Sequence, residues 1–161
     1  MRPTSLEILA PMPRIDFIDE TYLAADPAEV ADRIHNPSLW RSWWPRLELA
    51  VFMDRGLAGL RWTVTGELVG TSEVWLEPMA DGVLLHYFLR AEPTRPGSDT
   101  EALSGRPRRV ARVSKRAALS YSTSVKRSVW ALKDNLETGR APGLPRERPG
   151  SLPLSDGSAR A

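Results

Sequence analysis

The sequence predicts a single α+β domain: a curved antiparallel sheet of about five strands, two short helices, and a long C-terminal helix packed across the sheet. Three observations carry that prediction. Val113, Ala117, Tyr121, Val125, Val129, Leu132 and Leu136 recur at steps of four and three, the period of one helix face. Segments between Leu47 and Glu92 alternate apolar and polar residues and are parted by short turn signals. Two Asx-Pro pairs, Asp26-Pro27 and Asn36-Pro37, mark helix starts.

In chain order, Ile15 to Ala24 reads as the first strand, with Ile15, Phe17, Thr21 and Leu23 on one face. Asp26 caps the next element, Pro27 loses nothing at a first helical position, and Glu29 can complete a capping box. Val30 and Ile34 give that helix an apolar side, and it ends near His35. Asn36-Pro37 starts a second short helix, Ser38 to Trp44, which Pro45 closes. Leu47, Leu49, Val51 and Met53 alternate before Asp54-Arg55-Gly56 turns the chain. Leu60, Trp62 and Val64 follow, then Leu68 to Glu77, a turn from Pro78 to Gly82, and Val83 to Glu92. Thr94 to Arg106 has no pattern and reads as a long loop. The last helix begins at Pro107 and ends at Gly139 as its C-cap, with Ala111, Ala118, Ser114, Ser122 and Ser128 adding small residues to its stripe. A loose arm over 1–13, a folded unit over 14–140 and a disordered tail over 141–161 complete the organisation.

Size and composition narrow the function classes. The 161 residues are 42% hydrophobic and 26% charged, enough for one globular core. There is no cysteine, which excludes disulfides, thiol catalysis and cysteine-bound metal. No apolar run approaches the ~20 residues of a membrane span. Residues 1–14 hold Glu7 and three prolines instead of an apolar stretch, so no secretory signal is read and a cytoplasmic location is expected. Charge is uneven: residues 1–103 carry a net −7 and residues 104–140 a net +8. Such a split suits a nucleic-acid or membrane patch, or a basic helix lying near an acidic sheet; the helix's apolar stripe favours the latter.

Four segments in order carry a family resemblance. They are Phe17 to Val30 with its Asp26-Pro27 cap, Trp40-Arg41-Ser42-Trp43-Trp44-Pro45, Gly66-Glu67-Leu68-Val69-Gly70 leading into Val74-Trp75-Leu76-Glu77-Pro78, and Trp130 to Leu136. Over roughly 15–140 the chain resembles the START-like (SRPBCC) superfamily, in its polyketide cyclase/dehydrase-like branch. The resemblance implies a helix-grip fold with an apolar cavity between sheet and closing helix, used for lipids, polyketides or hormones. The chain departs from the family in having fewer strands than usual, because a hairpin between Trp62 and Gly66 is missing. That implies a smaller or more open cavity and an exposed sheet edge that invites a second copy to form a homodimer.

Regular alternation then gives the expected ligand-binding set: Leu60, Trp62 and Val64; Leu68, Val74 and Leu76; Leu85, Tyr87 and Leu89 with Val83; Tyr121 and Val125 from the helix; and Trp40 and Trp44 covering one end. The competing reading is that these residues simply fill a core. Six tryptophans suit base stacking, but Glu73 and Glu77 share the face of Trp75 and repel phosphate, so no nucleic-acid partner is expected. His86 falls with Leu84, Phe88 and Arg90 on the opposite face, where a Glu67, Glu73 and His86 cluster is conceivable as a metal or acid–base site but a surface pair is the better reading. No catalytic residue, metal or cofactor is assigned. The expected function is binding of a hydrophobic, lipid- or polyketide-like small molecule. The rivals are a cyclase/dehydratase-type enzyme using Tyr87, Tyr121 or Glu67 for proton transfer, and an interaction protein whose basic helix meets an acidic partner or anionic membrane.

Overall fold

A computed structural model describes residues 12–138. The arm read over 1–13 falls outside that range as far as residue 11, and the tail over 141–161 and Gly139 lie wholly outside it. The elements run β1 (Ile15–Leu23), α1 (Pro27–His35), α2 (Pro37–Trp43), β2 (Leu47–Asp54), a 3-10 turn (Gly56–Ala58), β3 (Gly59–Gly66), β4 (Leu68–Met79), β5 (Gly82–Pro93) and α3 (Pro107–Leu136). The strands form one antiparallel sheet in the order β1-β5-β4-β3-β2, the helix-grip arrangement expected from the sequence. The turn read over Pro78 to Gly82 is tighter than expected: Met79 pairs with Gly82, leaving only Ala80 and Asp81 between the strands.

The short helices depend on their caps. At 9 and 7 residues neither is stable by propensity alone. Asp26 and Asn36 supply the missing acceptors, their side chains taking the amides of Ala28 and Ser38 at 2.9 Å each. His35 ends α1 with Nδ1 on the Ala31 carbonyl at 2.7 Å and Nε2 on Asp54 at 2.9 Å, tying the helix to the end of β2.

α3 is held differently. No side chain caps its N-terminus at Arg106, so its 30 residues rely on packing. Val110, Ser114, Tyr121, Val125, Val129 and Leu132 are buried. Each large apolar member contributes roughly 1.5–3 kcal/mol, more than a typical cap at about 1 kcal/mol. The stripe is rotated slightly from the sequence reading: Val110 replaces Val113 as its first buried member, and Ala111 is exposed. The helix also ends two residues earlier than read, with Glu137 as its C-cap.

Instead of covering the sheet evenly, α3 lies along β1 and β5, while α1 covers part of β3, β4 and β5. Lys133 Nζ donates to the Tyr22 carbonyl at 2.7 Å, Lys126 Nζ to the Glu20 carbonyl at 3.4 Å, and the Ala24 amide donates to Glu137 at 2.6 Å. The C-terminal end of the β1 edge is thereby covered. The β2 edge is not: Val51, Phe52 and Met53 are each more than 40% exposed, and the ladder to β3 slips between Val51 and Met53.

Candidate functional site: a groove beside a filled core

Alternation along β3, β4 and β5 sends the predicted lining residues of those strands inward. Leu60, Trp62, Val64, Leu68, Val74, Leu76, Leu85, Tyr87, Leu89, Tyr121, Val125, Trp40 and Trp44 all belong to one buried cluster. Most of them fill space. Trp44 stacks on Tyr87 with ring centres 5.2 Å apart, Trp40 lies 5.4 Å from Trp62, and Trp44 lies 6.4 Å from Trp62. Tyr87 is fully buried, donor-acceptor paired with Ser72 at 3.0 Å, and desolvation raises its hydroxyl well above the ordinary tyrosine value. The indole N–H groups of Trp40, Trp44 and Trp62 have no acceptor among the described residues.

Open space lies at the other end. A groove of about 580 Å³ runs between the β3–β4 turn, the 93–99 loop and the N-terminal half of α3. Leu68 and Pro93 line it from the sheet, and Val113, Ala117 and Tyr121 from the helix. Of the predicted lining residues, Leu68 and Tyr121 reach this groove.

Local sequence builds the groove. Gly66 adopts φ +104°, and an added Cβ would lie 2.7 Å from the Arg46 carbonyl, so only glycine passes the chain between β3 and β4 there. The same residue anchors the loop: its amide donates to the Asp99 carbonyl at 2.9 Å, and its carbonyl accepts from the Thr94 hydroxyl at 2.7 Å. The Thr94 to Arg106 segment is therefore ordered, closed by a Thr94–Ala102 bridge and an Arg95–Glu101 ion pair.

The polar end of the groove is a trio. Tyr121 donates its hydroxyl to Glu67 at 2.8 Å, and Arg46 approaches the same carboxylate oxygen at 3.3 Å. Burial, followed by the hydrogen bond to and charge of Glu67, pushes the Tyr121 hydroxyl well above its ordinary value, so it stays a donor. Arg46 and the loop residues were missed by sequence reasoning, which saw them as a helix exit and a patternless stretch.

The conceivable Glu67, Glu73 and His86 cluster does not form. Glu73 pairs with Arg55 and Arg61, while His86 sits between Glu20 at 3.0 Å and Glu77 at 3.1 Å on the outer face. There its ring stacks on Trp75 at 4.4 Å. Among the described residues no group of three or more His, Asp or Glu is placed to hold a metal ion.

The architecture is thus a helix-grip α+β domain with a groove between sheet and closing helix. No protein-family model matches the sequence, and no curated protein matches it. Similar solved structures include the Aha1 dimer from Colwellia psychrerythraea, with 10% identity, 79% of this chain and 99% of that chain covered, and a TM-score of 0.49. A START superfamily protein from Mycobacterium smegmatis has 13% identity over 75% of this chain and 98% of its own, with a TM-score of 0.44. The di-domain ARO/CYC StfQ from the steffimycin biosynthetic pathway has 12% identity over 75% of this chain and 51% of its own, with a TM-score of 0.41.

Proposed function

We propose that this protein binds an apolar small molecule, lipid- or polyketide-like, in the groove between the sheet and α3. The observation that carries the reading is the groove itself: apolar walls from both layers, Leu68 and Pro93 facing Val113 and Ala117, with the Tyr121–Glu67–Arg46 trio at one end. Binding sites combine an apolar body with a few convergent polar groups, and this one has both. Within this reading Leu68 and Tyr121 touch ligand, while Trp44, Trp62 and Tyr87 fill the other end of the interior.

A cyclase/dehydratase-type reaction is the second reading, since Tyr121 and Glu67 both line the groove. Binding is favoured because the Tyr121 hydroxyl is already committed to Glu67, whose carboxylate Arg46 also holds. Organic extraction and native mass spectrometry of protein purified from its own host should reveal a co-purifying apolar molecule. Nile red should gain fluorescence with the wild type and lose that gain in Ala117→Trp, which fills the groove. No extractable molecule, together with an unchanged dye signal in that variant, sinks the binding reading.

A further inference from the structure

The solvent face of α3 carries a second periodic pattern. Arg109, Arg112, Arg116, Leu119, Thr123, Arg127 and Trp130 step by 3, 4, 3, 4, 4 and 3, which places them along one line opposite the buried stripe. All seven are exposed. Two are large apolar side chains that nothing on the helix shields: Leu119 is 69% exposed and Trp130 is 56% exposed. They are eleven residues apart, about three turns or ~16 Å at 1.5 Å per residue, so both project from the same side.

The charge around them is nearly all positive. Arg108, Arg109, Arg112, Lys115, Arg116 and Arg127 form no ion pair among the described residues, whereas Lys126 pairs with Asp19 and Lys133 with Glu137. The exceptions are at the C-terminal end, where Asp134 continues the line one turn past Trp130 and shares a hollow with it, Arg127 and Asp19. A shallow hollow around Leu119 is walled by Ala111, Arg112, Lys115 and Arg116. The basic helix and the acidic sheet expected to offset each other are therefore only partly paired; the N-terminal half of the helix keeps its charge for something else.

We infer that this face docks onto an anionic lipid membrane surface, with the helix axis parallel to the bilayer and Leu119 and Trp130 entering the headgroup region. A row of unpaired cations alone would fit any polyanion. The interleaved leucine and tryptophan decide for lipid: tryptophan favours the membrane interface, leucine gains by leaving water, and neither is needed to follow phosphates along a nucleic acid. Among the described residues no helix is long and apolar enough to cross a membrane, so the contact is peripheral. The docked face adjoins the groove, because Arg116 belongs to both.

Co-sedimentation of the full chain with vesicles tests this. Vesicles of phosphatidylcholine with about a third phosphatidylserine should retain the protein, and pure phosphatidylcholine vesicles should not. Retention should fall as salt rises through the physiological range. The variant Arg109→Gln/Arg112→Gln/Lys115→Gln should weaken binding about a hundredfold, roughly fivefold per cation. Leu119→Ser/Trp130→Ser keeps the charge and should weaken binding more than tenfold. These positions are exposed, so circular dichroism should match the wild type. Ala117→Trp should leave vesicle binding intact, which separates this inference from the groove reading. Equal binding to neutral vesicles, or anionic binding indifferent to the Leu119/Trp130 variant, overturns it. So does a duplex oligonucleotide that binds more tightly than the vesicles.

Discussion

The two ends of the interior are built from the same sheet face, yet one is filled and the other is open. Beneath α1 and α2, Trp44, Trp62 and Tyr87 are each no more than 2% exposed and pack ring against ring. Beside the N-terminal half of α3, Val113, Ala117 and Ser120 line the groove between the larger Arg116 and Tyr121, and the gap between layers stays open. The contrast is one of side-chain volume. Residues of equal hydrophobic pattern close a space when they are aromatic and leave a groove when they are Ala, Val and Ser.

The largest test of that contrast is Trp62→Ala. It should cost about 3–5 kcal/mol in denaturant unfolding, because a cavity opens in the filled end. A cost under about 1 kcal/mol would show that this end is not close-packed. Gly66→Ala acts on the open end through the backbone, forcing a side chain into a left-handed position against the Arg46 carbonyl. We expect a loss of about 2–3 kcal/mol, with faster amide exchange confined to the 93–103 loop that Gly66 anchors. Uniform exchange throughout the domain would refute the localisation.

Tyr121→Phe should cost only about 1 kcal/mol, since it removes one partly solvated hydrogen bond to Glu67. Its larger effect should be on the affinity of whatever occupies the groove, measured by dye displacement; unchanged displacement would argue that the trio does not anchor ligand.

The smallest effect is one of pH. Burial tends to lower the His35 pKa, but the Asp54 hydrogen bond, the Ala31 carbonyl and nearby carboxylate charge raise it overall, while the same pair lowers Asp54. A raised histidine contributes stability that is present below its ordinary value of 6.5 and lost as pH rises through the folded value. A lowered aspartate contributes above its ordinary 3.8 and loses that contribution as pH falls through the folded value. The pair should therefore support α1 most fully in mildly acidic solution. Asp54→Asn should narrow the difference in Tm between about pH 5 and pH 8; an identical difference would count against it.

The sequence was most legible where a period or a cap is local. Asp26-Pro27 and Asn36-Pro37 placed both short helices, and alternation assigned inward faces across β3, β4 and β5, including His86 on the outer side. Which inward residues border open space was not legible, because that depends on how volumes from separate segments add up in three dimensions. Sequence distance hid Arg46 and Asp99 as neighbours of Gly66 and Glu67. The Thr94 to Arg106 loop has no period because its order comes from single hydrogen bonds to Gly66 and Glu67.

The unequal edges of the sheet set an arithmetic limit. With the Glu20 and Tyr22 carbonyls of β1 taken by Lys126 and Lys133, β2 is the freer of the two described edges for a further strand. If two copies join there about a twofold axis, each consumes the other's remaining edge. Such a pairing leaves no β2 edge for a third chain, so the asymmetry between the edges favours a closed pair over open-ended growth.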